Sequence, residues 1–267
     1  MKKIFYYFII IFLITLPFII ANRFRKNVDN NTNKIQSKTF FSFLFSKPKL
    51  VLILDDAGKT NQYFNKIKKL NKNITIAVIP YYTSSKAIGL KLKNEGFNII
   101  AHIPMEPIDN TKMDVKEAFL LTNDSIQVIS TKIDFYINDI LPFVTGINNH
   151  MGSLFTSNKN SMINLMKILK KKNLFFIDSL TINSSVGYKY AKIYKVPTIN
   201  RDIFLDNQDD EVYIKKQLDK LLKIAMKKGF AVGIGHITKE KTINVLLENQ
   251  DKILKNFNLI PPSKILE

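Results

Sequence analysis

The residues able to do chemistry in this chain all follow short apolar runs. LVLILDD ends on Asp55 and Asp56, NIIAHIPMEP carries His102, TGINNHMGS carries His150, FFIDS carries Asp178, and AVGIGH ends on His236. A lone histidine after a strand is more often a hydrogen-bonded loop residue than a ligand, and a lone Asp there commonly caps the next helix. Yet the chain has only three histidines, and all three share this placement. Adjacent carboxylates leaving an apolar run also repel unless a cation or a proton relieves them. One Asp and two His suit a zinc-like ion with an open coordination position. Such an ion polarises a carbonyl and makes water acidic, so the natural chemistry is hydrolysis, with a second carboxylate as base and a further histidine as acid. There is no cysteine, which excludes disulfides, thiolate metal sites and cysteine nucleophiles.

Arg201 stands apart for a different reason. It is the only arginine after Arg25, in a chain that otherwise uses lysine for positive charge. Its planar fork can grip carboxylates in a two-point contact that lysine cannot make.

These residues converge only if the apolar runs are parallel strands whose C-terminal ends face one side. The runs Leu50 to Leu54, Ile74 to Ile79, Phe97 to Ile103, Val144 to Ile147, Leu174 to Ile177, Val196 to Ile199 and Phe230 to Ile234 are too short for helices and rich in Val, Ile and Phe. Between them lie amphipathic stretches. Met162, Leu165, Met166 and Leu169 follow helical spacing, as do Ile214, Leu218, Leu221, Leu222 and Ala225. Gly96 and Gly229 sit where helix C-termini want positive φ. The alternation predicts a single α/β domain, barrel-like or open, over residues 48–267.

With 267 residues and 46% hydrophobic content the chain can bury a substantial core. Its net charge of +18 invites an acidic partner. All but three of the 40 basic residues are lysines, however, spread along helical stretches without interleaved stacking aromatics, and no nucleic-acid motif is visible. No nucleic-acid partner is expected. Residues 4–21 are uncharged and apolar behind Lys2 and Lys3, long enough to span a bilayer. Residues 1–21 therefore read as a signal anchor or signal peptide, and residues 22–47 as a polar, Asn-rich tether. Eight basic residues and one acidic lie in residues 1–47, beside the expected membrane. The domain is expected on the extracytoplasmic side.

The motifs LDDAG, AHIPMEP, INNHMGS, IDS-x-T, RDIFLDN and IGH, in this order, resemble the divergent polysaccharide deacetylase family, a relative of the carbohydrate esterase deacetylases, from about residue 49 to 262. The resemblance implies a distorted seven-stranded (β/α) barrel, a divalent metal, most simply zinc, and removal of acetyl groups from a cell-envelope glycan. It implies Asp55 as general base, Asp56 and His102 as metal ligands, His236 as proton donor to the leaving nitrogen, Asp178 as the carboxylate orienting His236, and Arg201 as the arginine holding the base, with Asp206 in a similar supporting role. The better-known deacetylases place two ligand histidines four residues apart. Here Met105 and Glu106 fill that neighbourhood, so the third ligand falls to His150, with Glu106 as fallback. Asn149, Glu106 and Asp206 are further candidates to touch substrate. Tyr81, Tyr82, Phe155 and Tyr188 either line a sugar cleft or fill gaps between barrel and helices.

Two rivals follow from the departure in the ligand motif. One is a glycan- or envelope-binding module without turnover on the same fold. The other is a metal-dependent hydrolase of another bond; against phosphoesters, few positive groups besides Arg201 stand at the strand ends and no Gly-rich phosphate cradle is visible.

Overall fold

The computed structural model describes residues 46–266, and in it the apolar runs become strands. They are β1 (Lys49–Ala57), β2 (Thr75–Val78), β3 (Asn98–Met105), β4 (Gly146–Met151), β5 (Phe175–Asp178), β6 (Thr198–Asn200), β7 (Ile203–Phe204), β8 (Phe230–His236) and β9 (Asn258–Leu259). The helices are α1 (Phe64–Ile67), α2 (Ser85–Asn94), α3 (Ile126–Asp134), α4 (Lys159–Lys171), α5 (Gly187–Ile193), α6 (Glu211–Lys228), α7 (Glu240–Asn256) and α8 (Ser263–Leu266). Every strand pairing is parallel, in the order β6-β5-β4-β3-β2-β1-β8-β7, with β9 added alongside β1. All C-terminal strand ends therefore open on one side.

Side chains alternate across a strand with a period of two, and here both faces are apolar. Leu50, Leu52 and Leu54 of β1 pack outward with Ile76, Val78, Phe176 and the helices. Val51 and Ile53 point inward, into a smaller cluster with Ala77, Ile100, Phe175, Ile177, Ile199, Val232 and Ile234. Ile260, Ile265 and Leu266 close the end of that inner cluster opposite the strand C-termini. The inward face is crowded: a Cβ built on Gly146 would lie 2.2 Å from the Phe175 ring.

The expected seven-stranded barrel is corrected at one seam. No ladder joins β6 to β7, so the sheet is an open half-barrel by hydrogen bonding. The chain itself crosses the gap. Thr198, Ile199 and Asn200 pair with β5, and Arg201 N–H still donates to Asp178 O at 3.0 Å. One residue later, Asp202 N–H donates to Val232 O at 2.8 Å, and Ile203 and Phe204 pair with β8. One run of chain thus serves both edges, half to each, where a barrel would have a single strand paired on both sides.

The helices follow the spacing read from the sequence. In α4, Met162, Leu165, Met166 and Leu169 are buried, and the Asn158 side chain caps the helix by accepting from Ser161 N–H. In α6, Ile214, Leu218, Leu221, Leu222 and Ala225 are buried, Asp210 caps the start, and Gly229 ends it in the left-handed region at φ 83°. The expected membrane segment and most of the tether lie outside the described residues. Among the described residues no helix is long and apolar enough to cross a membrane.

Candidate active site

Strand parity decides which polar residues meet. Asp55 continues the inward face of Val51 and Ile53, His102 that of Ile100, and His236 that of Val232 and Ile234. On β4 the outward Ile147 leaves Asn148 and His150 inward and Asn149 outward. Lateral register then brings pairs together: Asp55 lies beside His236, and His102 beside Asn148.

Asp56 has the wrong parity and reaches the site by a backbone irregularity. Its φ is 66°, left-handed for a residue with a Cβ, and the β1–β2 register shifts between Leu54 and Ala57. Such a conformation is costly and persists where the surroundings enforce it. The result places Asp56 Oδ1 3.3 Å from His102 Nε2 and 3.1 Å from His150 Nδ1. Asp56, His102 and His150 offer ligand atoms all within 4.8 Å of one another.

Whether these residues fit a cation can be judged from the carboxylate. Asp56 Oδ1 is buried and receives no hydrogen bond in proper geometry. A buried unpaired carboxylate oxygen facing two imidazole nitrogens needs a proton or a cation. Ligands about 2 Å from a tetrahedral ion sit roughly 3.3 Å apart, close to the spacing found here. The trio fits a divalent cation.

The carboxylates of the pair titrate in opposite directions. Burial pushes the Asp55 carboxyl up, with His102 and His236 offsetting only part of the effect. Burial also works against the Asp56 anion, but contacts with His102 and His150 overcome it and hold that carboxyl far below the usual range. Burial opposes charge on His102, yet Asp55 and Asp56 outweigh it and raise its pKa. Asp55 Oδ1 accepts from Asn148 Nδ2 at 2.9 Å, and its Oδ2 lies 3.6 Å from His102 Nε2.

His236 stands beside the trio, held by Asp206. Asp206 Oδ1 is 2.7 Å from His236 Nδ1, and Phe204 lies parallel to the ring at 6.1 Å. The sequence-based role of Asp178 is thereby corrected. Asp178 shares the outward face of Phe176 and accepts from Ser185 Oγ at 2.6 Å and from Leu180 and Tyr188 N–H groups, all away from His236. Asp206, expected at the base or the substrate, holds the His236 ring instead.

Three more expectations are corrected by contacts. Arg201 makes no hydrogen bond to Asp55: its Nε donates to Ser179 O at 2.7 Å, its Nη2 to Leu180 O at 2.8 Å, and its guanidinium lies over Phe204 at 3.8 Å. It spans the seam between β6 and β7. Glu106 is no ligand here, because its Oε2 accepts from Thr122 N–H and Oγ1 at 2.6 and 2.7 Å. Asn149, outward and buried, accepts from Ser179 N–H and donates to Met151 O, so it braces the strand end and does not face a substrate. Phe155 is fully buried core, whereas Tyr81 and Tyr82 stand at the end of β2, both donating to Asp114. Tyr188 is an exposed side chain on α5.

The residue missed by sequence reasoning is Asn148. It is fully buried and joins Asp55 to His102, with its Oδ1 2.8 Å from His102 Nδ1. The signal was present: Asn148 and His150 are two apart on one strand and must share a face.

The open parallel α/β architecture is shared with the fold of a solved deacetylase domain. The chain belongs to the divergent polysaccharide deacetylase family, whose model matches residues 52–266. An uncharacterized protein of Haemophilus influenzae is 30% identical over 253 residues, covering 90% of this chain and 89% of that protein. A crystal structure of an uncharacterized protein from Agrobacterium tumefaciens superposes with a TM-score of 0.77 at 21% identity, covering 82% of this chain and 89% of that one. The catalytic domain of peptidoglycan N-acetylglucosamine deacetylase from Eubacterium rectale gives a TM-score of 0.51 at 11% identity, over 81% of this chain and 89% of that domain. At such identities the structural likeness speaks for the fold.

Proposed function

We propose that the protein is a metal-dependent hydrolase that removes acetyl groups from a cell-envelope glycan. The observation that carries the reading is the trio Asp56, His102 and His150, flanked by Asp55 on one strand and His236 on the next. A divalent cation held there, zinc being the best match to one carboxylate and two imidazoles, would polarise an acetyl carbonyl and bring the pKa of water toward neutrality.

The chain's own residues supply the proton traffic. Asp55 Oδ2, the oxygen not held by Asn148, takes the proton from the attacking water, and the raised pKa of its buried carboxyl suits a base. His236 is fixed through Nδ1 by Asp206, which leaves Nε2 to protonate the departing nitrogen. Family membership supports an acetylated glycan as substrate, and the name of the Eubacterium rectale neighbour favours an envelope polymer. The uncharged run of residues 4–21 supports a membrane anchor, and a domain on the extracytoplasmic side goes with an envelope substrate.

The test is acetate release from N-acetylated glycan oligomers by the full-length protein, stripped of metal and then reloaded with zinc. Zinc-dependent release that disappears in Asp56→Ala and His102→Ala, together with zinc binding, is the expected result. Zinc binding without acetate release from any glycan would instead favour the binding-module reading.

A further inference from the structure

Asn148 lies between the base and the ligand trio, and its two amide edges do different work. Nδ2 donates to Asp55 Oδ1 at 2.9 Å, with Ser179 Oγ a second, longer acceptor at 3.4 Å. Oδ1 lies 2.8 Å from His102 Nδ1. A base begins its cycle ionised, and an ionised carboxylate oxygen only accepts, so the amide edge facing Asp55 is the NH₂. The opposite edge is then the carbonyl, and His102 Nδ1 must carry a hydrogen to meet it. A neutral imidazole has one N–H, so the lone pair falls on Nε2, the atom 3.3 Å from Asp56 Oδ1.

We infer that Asn148 is a positioning residue whose single amide fixes His102 as the Nδ1–H tautomer, presenting the Nε2 lone pair to the cation, while holding Asp55 by its other oxygen. This rests on the hydrolase reading of the same site. No other side chain among the described residues hydrogen-bonds both groups. The arrangement follows from register, because Asn148 and His102 are lateral neighbours on β4 and β3. An ionised aspartate at this position would still accept from His102 but could not donate to Asp55. An alanine would do neither. The two substitutions therefore separate the two functions of the amide.

The experiment uses full-length protein, metal-free and labelled with ¹⁵N-histidine, with His102 assigned by the signal lost in His102→Gln. Long-range ¹H–¹⁵N spectra, recorded at a pH high enough to leave His102 neutral, should show it protonated at Nδ1 in the wild type and in Asn148→Asp. Zinc affinity, read by competition with a chromophoric chelator, should weaken about 10- to 100-fold in Asn148→Ala, the scale of losing a partner behind a ligand histidine. It should stay at or above wild type in Asn148→Asp. Acetate release by Asn148→Asp should nevertheless fall in kcat by roughly 100-fold, the scale of a disabled base, with KM little changed. An Nε2–H tautomer in the wild type, or wild-type zinc affinity in Asn148→Ala, would overturn the inference. Full kcat in Asn148→Asp would overturn the part that concerns Asp55. If Asn148→Ala does not fold, the wild-type tautomer and Asn148→Asp decide the matter. A wild type that binds no zinc sinks the hydrolase reading, while the spectra still report the tautomer.

Discussion

Asp206 holds His236 at two points of the same residue, with Oδ1 2.7 Å from ring Nδ1 and Oδ2 accepting from the histidine's backbone N–H at 2.7 Å. Thr242 Oγ1 donates to Oδ2 as well, at 2.7 Å. The ring can neither rotate nor tilt without breaking a contact to a fully buried carboxylate. Burial opposes charge on both partners. Their mutual contact outweighs it, raising the His236 pKa and lowering that of Asp206.

The signs define a pH window for Asp206→Ala. The pair stabilises the fold fully between the ordinary carboxylate and imidazole values, about 4 and 6.5. That contribution is lost as pH rises through the raised pKa of His236, and as pH falls through the lowered pKa of Asp206. Removing one partner of a buried pair costs roughly 3–5 kcal/mol. Denaturant melts should show a deficit of that order near pH 5.5 and a smaller one at pH 9; a deficit independent of pH would contradict the assignment.

Asp56 separates a side-chain role from a backbone one. Because its φ is 66°, Asp56→Gly relieves backbone strain that Asp56→Ala retains. In metal-free protein the glycine variant should be more stable than the alanine variant by about 1 kcal/mol. Both should fail to bind zinc. Equal melting of the two variants would mean that the left-handed turn at Asp56 carries no strain.

Arg201 should act on stability more than on proton transfer. Arg201→Lys loses the fork that donates to Ser179 O and Leu180 O, a cost of roughly 1–3 kcal/mol. Its melt should fall by that amount while the acid limb of its activity profile stays where it was. A displaced acid limb would restore a direct hold on Asp55.

Gly146 probes the inner cluster. A Cβ there meets the Phe175 ring on the inward face. Gly146→Ala should destabilise by roughly 1–3 kcal/mol, as overpacking does. Unchanged unfolding in urea would show that the Phe175 ring yields freely.

Much of this was legible in the sequence, and what escaped did so for identifiable reasons. The strand starts, the buried stripes of α4 and α6 and the motifs that carry the family were visible as spacing. So was the gathering of His102, His150 and Asp56, though only by assuming that strand ends converge. Face assignment was the weak step. Asp178 and Asn149 point outward by the period-two rule, as counting from Ile177 and Ile147 would have indicated. Asp56 could not be placed by counting, because its entry depends on a left-handed residue that interrupts the alternation. Asp206 reaches His236 only because β7 pairs with β8, a two-residue strand too short to leave a periodic trace.

The seam between Asn200 and Ile203 also bears on how the domain would deform. The candidate ligands, the candidate base and the candidate acid sit on β4, β3, β1 and β8, an arc of paired strands that is continuous through β2 and is separated from that gap by β5 and β6 on one side and by β7 on the other. Bending the ring at its clasp, as when the mouth widens around a thick polymer, would spread β5 from β8 while leaving the distances within that arc nearly constant. The fold has its compliance in one place and its chemistry in another.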